Sequence, residues 1–333
     1  MTALITAAEP GERVTSPRPR RPPRRPNFDR ISFLLVFLVA PLALFVAFVL
    51  WPFAQSAYYA LTSWGGYTAD LEWVGLQNFT QMLSDEVLLK SLRNSVVLAL
   101  VVPTLTLGIA FAIACVVTTG GPSIGTIQGL RGSAFYRVAS FFPYCVPAIV
   151  IGIIWAQVYD PSRGLLNGIL TAVGLDQFRS FPWLGDETTA MAASVLVIVW
   201  SLIGFYTILF IAAIKGIPAE TYEAARLDGA GRFRIAVSVT LPQILSSFQT
   251  AYIYVGLVAV DSFVYMAALN NQGGPNYSTL TMTQYLYNVA FFQGKFGYAT
   301  AIGIVLALVT LIYAALVFGV FRLLRGKDGG DHA

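Results

Sequence analysis

The sequence predicts an all-α, polytopic membrane protein with six transmembrane helices and a charged cytoplasmic helix between the fourth and the fifth. Of its 333 residues, 56% are hydrophobic and only 11% are charged, and the mean hydropathy is +0.67. Soluble domains carry about 25% charged residues. The low charge therefore indicates a chain that folds in lipid rather than in water.

Six apolar windows are long enough to cross a hydrocarbon core, which requires ~20 apolar residues in a helix. They are Ile31–Phe53, Asn94–Val117, Val138–Val158, Ala190–Ile214, Ser246–Leu269 and Ala299–Phe321. Five of them contain no Asp, Glu, Lys or Arg, and the fifth window contains a single ionisable residue, Asp261. A helix in a soluble core rarely runs so far without a polar face, so we expect six membrane spans.

The basic residues predict the orientation of the spans. The two tails and the loops after spans two and four carry 16 Lys and Arg, whereas the other three loops carry 5. Basic residues remain on the cytoplasmic side, so both termini are expected on the cytoplasmic side of the membrane. The domain prediction is a disordered basic tail over 1–30, a transmembrane domain over 31–322 and a cytoplasmic tail over 323–333.

The three outer loops each predict a short helix. The stretch "WVGLQNFTQMLSDEVLLKSLRNS" in residues 54–93 is expected to form one surface helix at the membrane interface, where Trp and Tyr are favoured. The second outer loop, 159–189, predicts a short helix between glycines. The third, 270–298, predicts an interfacial helix after its Gly-Gly-Pro stop.

The chain offers little for catalysis or for metal binding. Its two cysteines, Cys115 and Cys145, lie within predicted spans and are expected to be packing residues, and its one histidine is His332. The phosphate-binding pattern G-x-x-x-x-G-K-[ST] does not occur. We therefore expect no catalytic residue, no metal site and no cofactor in this chain. The excess of basic residues has a membrane explanation and does not indicate nucleic acid.

A charged stretch between spans four and five, residues 215–245, predicts a helix–turn–helix. Pro218 suits the first turn of a helix, because the N–H that it lacks would have no partner there. Glu220 and Glu223 follow, where the helix dipole favours negative charge. Gly229 and Gly231 can adopt the left-handed conformation that ends a helix and reverses the chain.

A second helical run is predicted from Arg232 to Thr240, with Leu241 and Pro242 closing it before the fifth span. Such a unit is stiff and protrudes from the membrane, so it could pass force between a soluble partner and the spans. An ordinary amphipathic cytoplasmic loop is the alternative interpretation of the same charges.

The sequence "EAARLDGA", followed ten residues later by "LP", resembles the coupling motif of binding-protein-dependent ABC importer permeases, and within them the maltose-type carbohydrate permeases. Three further stretches are similar to segments of that family in the same order. They are "WVGLQNFTQML", "FFPYCVPAIVIGIIWAQVYDPSRGLLNGIL" and "NQGGPNYSTLTMTQYLYNVAFFQGKFGYATAIG". The four together cover roughly residues 70–305.

The resemblance implies that the charged loop enters a cleft on a separate ATP-binding subunit. The motif positions that it assigns to this contact are Glu223, Ala224, Ala225, Asp228, Gly229, Leu241 and Pro242. The sequence departs from the family pattern at Ala236, where an aromatic residue is usual, and at Val239, where isoleucine is usual. The nearest aromatic residue is Phe233. We therefore expect the packing of the second helix to differ from that in the family.

The resemblance also implies the partners of the chain. They are a second homologous permease subunit, two copies of the ATP-binding subunit, an extracytoplasmic solute-binding protein and membrane lipid. ATP and Mg would be bound by the partner ATPase. The function that it implies is import of a mono-, di- or oligosaccharide, and the permease itself would not be an enzyme. The alternative is an ion- or proton-coupled secondary transporter, which requires several ionisable groups within the spans.

Two stripes in the spans are candidates for the solute pathway. Asp261 lies at helical spacing from Tyr254 and Tyr265, and a carboxylate between aromatic rings suits the hydroxyls and the C–H faces of a sugar. Trp200 and Thr207 form the second stripe, with Gly204 between them. Packing or pairing with a neighbouring subunit is the alternative role for each of these residues.

Overall fold

The computed structural model describes residues 28–67, 71–119 and 140–328, and this part of the chain is built from helices. Its one extended pairing in the described ranges is a single antiparallel bridge between Thr62 and Trp73. The predicted tail over 1–30 lies almost wholly outside the described residues, as do positions 329–333 of the predicted C-terminal tail. The all-α prediction is confirmed.

The chain divides into two compact units, residues 1–54 and residues 55–333. The first unit contains most of helix α1 (Ile31–Tyr59), which is apolar along its length. Two π-helical stretches interrupt α1, Leu35–Val39 and Val46–Leu50, and each ends two residues before a proline. A proline ring collides with the carbonyl four residues before it, and the wider π turn makes room for that carbonyl.

The second unit contains the remaining helices. In chain order they are α2 (Gln77–Met82), α3 (Glu86–Thr119), α4 (Ala148–Val158), α5 (Leu165–Ala172), α6 (Ala190–Lys215), α7 (Ala219–Leu227), α8 (Arg232–Gln243), α9 (Leu245–Val260), α10 (Phe263–Leu269), α11 (Met282–Tyr287) and α12 (Phe296–Asp328). Residues 140–145 are also helical. Helices are present in the second and third predicted outer loops, as α5 and α11, whereas their place outside the membrane stays a prediction.

The core of this unit lies where α3 packs along α6 and α9. Phe210 of α6 is fully buried, meets Phe111 of α3 edge-on and stacks on Phe248 of α9 with ring centroids 5.3 Å apart. Such aromatic contacts add ~0.5–1.5 kcal/mol each beyond the burial of their area. These three helices therefore form a tightly packed centre. Helix α12 packs against α9, whereas α10 packs mainly against α4.

The helices differ from the prediction at the second, third and fifth of the six predicted spans. Within the described residues, four helices are long and apolar enough to cross a membrane, namely α1, α3, α6 and α12. A fifth span is reached there only when α8 and α9 are counted as one bent pair. The third predicted span falls on 140–145 and on α4, which has only 11 residues. Pro147 separates the two pieces, because a residue before proline is pushed out of the helical conformation. The count of six spans therefore stays a prediction.

The second and fifth predicted spans have different bounds in the structure. Helix α3 begins at Glu86 rather than at Asn94, so the single surface helix predicted in the first outer loop is wrong. The first part of that predicted helix forms α2, and its second part forms the first turns of α3. The fifth span is broken after Val260, and α10 starts only at Phe263. Asp261, at the break, has φ −96° and ψ 43°, which is not helical.

Candidate functional site

The charged stretch predicted from the sequence forms a helical elbow, residues 215–245, that connects α6 to α9. Helix α7 follows Pro218, which caps it, and Glu220 lies in its first turn. The reversal occurs at Gly229, whose φ of +76° is a conformation that residues with a side chain rarely adopt. Gly231 is extended instead, at φ −71° and ψ 166°, and precedes the first residue of α8.

The second leg of the elbow is longer than the sequence predicted. Helix α8 passes through Leu241 and Pro242 and ends at Gln243, after which the chain bends by 79° into α9. The prediction that the helix ends at Thr240, with Leu241 and Pro242 closing it, is therefore wrong by three residues. A π-helical stretch over Ala236–Thr240 precedes Pro242, as in the two proline-containing stretches of α1, and lets the helix continue.

Buried side chains fasten both legs of the elbow to the bundle. Tyr222 of α7 is only 3% exposed, and its hydroxyl lies 3.3 Å from the hydroxyl of Thr240 on α8. Ile235 and Ile244 are buried in the same core as α3 and α6. Burying a side chain of this size contributes ~1.5–3 kcal/mol. Both legs of the elbow are therefore anchored in the bundle core.

The motif residues divide between an exposed surface and a support. Glu223, Ala224, Asp228, Gly229 and Pro242 are exposed, whereas Ala225 and Leu241 are half-buried. The structure thus brings the first four together at the tip, around the end of α7. Leu241 and Pro242 lie apart from that tip, near the far end of α8.

Two apolar side chains at the elbow were not singled out as contact residues by the sequence. Leu227 is 89% exposed and Phe233 is 82% exposed, although both are large and apolar. Large side chains held in water at the tip of a rigid element are typical anchors of a protein interface. The sequence did contain a signal for this contact role, because both residues lie within a few positions of Gly229 in the charged stretch.

The predicted pathway stripe of Tyr254, Asp261 and Tyr265 is not continuous. The helix break at Asp261 separates α9 from α10, so the spacing of four residues no longer places these side chains on one face. Tyr265 is half-buried and its hydroxyl lies 2.9 Å from that of Ser201 on α6. Asp261 is exposed on the single chain.

The second predicted stripe is also divided. Trp200 is partly exposed, packs edge-on against Trp155, and lies on an apolar groove between α3 and α6. Thr207 is buried and its hydroxyl donates to the carbonyl of Ile203 at 2.8 Å, so it presents no free polar group. Gly204 between them allows close contact, because a Cβ there would collide with the Ser140 carbonyl.

One cavity does combine aromatic rings with hydroxyls. Its volume is about 480 Å³, and it is lined by Tyr144, Phe205, Tyr206, Leu209, Ser246, Ser247, Thr250, Ala251 and Tyr254. The rings of Tyr144 and Phe205 are stacked, with centroids 4.6 Å apart. Of the residues predicted for the pathway only Tyr254 lines it. The hydroxyls of the first turns of α9, directly after the elbow, were missed by the sequence.

This cavity lies in the half of the bundle that adjoins the elbow. Ser246 and Ser247 are in the first turn of α9, immediately after the bend at Ile244. No Asp, Glu, Lys or Arg lines it among the described residues. It can therefore offer stacking surfaces and hydroxyl hydrogen bonds to a polar, uncharged molecule.

A comparison with known families decides the class of the protein. Residues 119–326, which include the elbow and the cavity, match the family described as "Binding-protein-dependent transport system inner membrane component". The chain belongs to this family. It is therefore an inner-membrane component of a transport system that works with a binding protein, and it is not itself an enzyme.

Curated relatives of this transport component extend the match to nearly the full chain. It is 56% identical over 328 residues to the diacetylchitobiose uptake system permease protein of Streptomyces coelicolor, covering 98% of this chain and 92% of that protein. It is 32% identical to the multiple sugar-binding transport system permease protein of Streptococcus mutans, covering 84% of this chain and 92% of the relative.

The fold of the transport component is also found among solved structures. A chain of a bacterial alginate ABC transporter, crystallised with an alginate-bound periplasmic protein, superposes with a TM-score of 0.72 at 20% identity. The superposition covers 89% of this chain and 96% of that one. At this identity the likeness establishes the fold.

Proposed function

We propose that this chain is the transmembrane permease subunit of an ATP-binding-cassette importer that brings a carbohydrate into the cytoplasm. The observation that carries the proposal is the elbow. It is fastened to the core through Tyr222, yet it holds Leu227 and Phe233 in water at its tip. Burying these two side chains in a cleft of an ATP-binding subunit would give a contact through which movement of that subunit reaches the bundle.

The motif residues take two roles in this proposal. Glu223, Ala224, Asp228 and Gly229 would contact the ATPase directly, because they are exposed around the tip. Ala225, Leu241 and Pro242 would support them: Ala225 packs against the core, and the other two continue α8 to its bend. The chain lacks a phosphate-binding loop, so ATP and Mg would be held by the partner subunit.

The assembly that we propose contains a second homologous permease subunit, two copies of the ATP-binding subunit and an extracytoplasmic solute-binding protein, all held in membrane lipid. Both termini and the elbow would be cytoplasmic, since the predicted inner segments carry 16 of the 21 basic residues. Closure of the ATPase pair on ATP would move the elbow and switch the bundle from inward-open to outward-open. This supplies the coupling free energy between sites that allostery requires.

The proposed solute is a neutral oligosaccharide, with diacetylchitobiose as the first candidate. The 56% identical relative is named for uptake of that disaccharide. The cavity near the elbow supports the class, because it offers the exposed ring of Tyr254, several hydroxyls and no charged side chain within the described ranges. Tyr254 would contact the solute there. Asp261, Tyr265, Trp200 and Thr207 lie outside the cavity lining, so a pathway role for them requires another state of the bundle.

Purification of the tagged chain from its own cell tests the proposal. We expect a second permease and an ATPase to co-purify with it. The binding protein is then tested with a panel of neutral and phosphorylated solutes, and we expect ATP turnover to rise when it is loaded with a neutral sugar. Glu223→Lys should lower the stimulated turnover while the bundle remains folded. Purification of the chain alone, as expected of an ion- or proton-coupled carrier, would contradict the proposal, and binding of phosphorylated solutes alone would contradict the neutral substrate.

A further inference from the structure

A second, polar cavity of about 270 Å³ lies at the end of the bundle opposite the elbow. It is lined by Ser63, Trp64, Val74, Gln77, Asn78, Gln81, Gly294, Lys295 and Tyr298. Helix α3 shows that the two ends are opposite. Its last turns share a buried core with Tyr222 of the elbow, whereas Asp85, just before its first residue, accepts a hydrogen bond from Tyr298. A helix of 34 residues is about 50 Å long.

Several groups in the wall are already committed to other contacts. The amide of Asn78 donates to the carbonyls of Ala60 and Thr62 at 2.8 and 2.9 Å, and the hydroxyl of Tyr298 donates to Asp85 at 2.8 Å. These groups hold the wall in place and have no hydrogen left to donate to an occupant.

The indole of Trp64 is not open as a platform for a sugar ring. Tyr59 stacks on one face, with ring centroids 4.3 Å apart, and Phe296 packs against the same indole at 5.7 Å. Sugar sites in proteins use a free aromatic face for the C–H surface of the ring, and this cavity does not present one. A solute subsite is therefore a poor fit to its walls.

Three exposed side chains of the lining can still donate hydrogen bonds, and the ammonium among them can only donate. Gln77, Gln81 and Lys295 are exposed at the cavity, and their side chains make no hydrogen bond to any described residue. An ammonium and two amide NH₂ groups converge here, and no Asp or Glu is part of the described lining. A carboxylate is acceptor-only with about four lone-pair positions, and bonds from charged donors are the strong ones, so a carboxylate fits this set.

We propose that this cavity receives an acidic side chain from the surface of the solute-binding protein when that protein docks on the outer face. The inference rests on the proposed function, since the elbow then faces the ATPase and the opposite end faces the binding protein. The family to which the chain belongs works with such a protein. Lys295 supplies the charge of the contact, and Gln77 and Gln81 fix the orientation of the carboxylate.

The test uses the full importer in lipid nanodiscs, with ATP turnover measured against the concentration of sugar-loaded binding protein. Lys295→Gln should raise the half-saturating concentration about tenfold or more, as expected for loss of a charged hydrogen bond, and leave the maximal turnover unchanged. Lys295→Glu should raise it further. The matched control, Lys295→Arg, keeps the charge and should remain within about twofold of the parent. The salt dependence of docking should be weaker in Lys295→Gln than in the parent.

Two outcomes would overturn the proposal. One is an unchanged half-saturating concentration in both Lys295→Gln and Lys295→Glu. The other is an effect of the Lys295 variants on ATP turnover that varies with the concentration of free sugar while the binding protein is saturating. That result would make the cavity a solute site. Direct binding of labelled binding protein to nanodiscs of the permease measures the same contact without ATP turnover. Failure of the ATPase to co-purify would therefore contradict the proposed function and leave this test intact.

Discussion

The hydroxyl of Tyr222 lies 3.3 Å from the hydroxyl of Thr240, and this contact joins the two legs of the elbow beneath its turn. Both residues are buried, and Tyr222 belongs to the same core as α3, α6 and α9. Burial raises the pKa of the Tyr222 phenol, although its hydrogen bond with Thr240 acts in the opposite direction, so the phenol remains neutral at physiological pH. The turn is therefore tied to the core through buried contacts of both legs.

Tyr222→Ala should uncouple the elbow from the core. Removal of a large buried aromatic side chain typically costs ~3–5 kcal/mol, whereas Tyr222→Phe removes only a hydrogen bond worth ~0.5–1.5 kcal/mol. We expect a large loss of thermal stability and of solute-stimulated ATP turnover in the first variant and a small loss in the second. Equal effects of the two variants on the melting temperature of the purified complex would show that packing of the ring is not what fastens the elbow.

Leu227→Asp and Phe233→Asp should abolish retention of the ATPase without unfolding the permease. Both side chains are in water in the single chain, so the substitution has little to disturb there, but it would bury a charge in the proposed cleft. Co-purification measures retention, and gel filtration of the permease reports its fold. Leu83 is 77% exposed near α2, far from the elbow, and Leu83→Asp is the matched control that should retain the ATPase. Loss of the ATPase in all three variants would argue against a specific role of the tip.

Gly204→Val should destabilise the bundle more than the same substitution at an uncrowded glycine of another helix. A Cβ at this position would collide with the backbone of Ser140 and Phe141, which cannot move away as a flexible side chain can. Overpacking of this kind costs ~1–3 kcal/mol. Gly168→Val in α5, where a Cβ meets open space, is the control for the change of residue type. Thermal unfolding in detergent measures both, and equal melting temperatures would contradict the close approach of the two segments.

Asp85 should make the stability of the end of the bundle opposite the elbow depend on pH in the acid range. Its carboxylate accepts hydrogen bonds from Tyr285 at 2.6 Å and Tyr298 at 2.8 Å. Burial by itself raises the pKa of this carboxyl, but the hydrogen bonds from Tyr285, from the Leu88 N–H, from Tyr298 and from the Val87 N–H together outweigh it. The net pKa therefore lies below the usual 3.8.

A carboxyl whose folded pKa is depressed stabilises the fold above its unfolded pKa and loses that contribution as the pH falls through the folded value. Asp85→Asn should therefore melt at a lower temperature than the parent at pH 7. The gap between them should close as the pH falls below 3.8. A gap that stays constant or widens in acid would show that the ionised carboxylate is not the stabilising form.

Much of the elbow could be predicted from residue types alone. The helix after Pro218, the left-handed turn at Gly229 and the second helix from Arg232 follow from local backbone preferences, which act wherever the chain is placed. The burial of Tyr222 could not be predicted in this way, because it depends on how the elbow lies against α3 and α6. The end of α8 was predicted too early, since the wider π turn before Pro242 is a response of the folded helix.

The cavity near the elbow was harder to predict because spacing on an uninterrupted helix was the only guide. The break at Asp261 removes the register that linked it to Tyr254 and Tyr265. Thr207 was proposed as a pathway residue because it shares a helical stripe with Trp200, yet its hydroxyl bonds to the backbone one turn earlier. Tyr144 lies next to Pro143 in a different predicted span, so only the fold places it beside Phe205.

Cross-linking from the tip of the elbow is the most direct test of the central claim, that the elbow grips a separate ATPase. Cys145 is exposed and is first replaced by Ser, while Cys115 is buried and can remain. Ala224→Cys in that background places a thiol on the exposed face of the tip. In the assembled importer we predict a cross-link to the ATP-binding subunit, and protection of this thiol from a water-soluble maleimide. Rapid labelling in the intact importer, at the rate seen in the isolated permease and without a cross-link, would contradict the account.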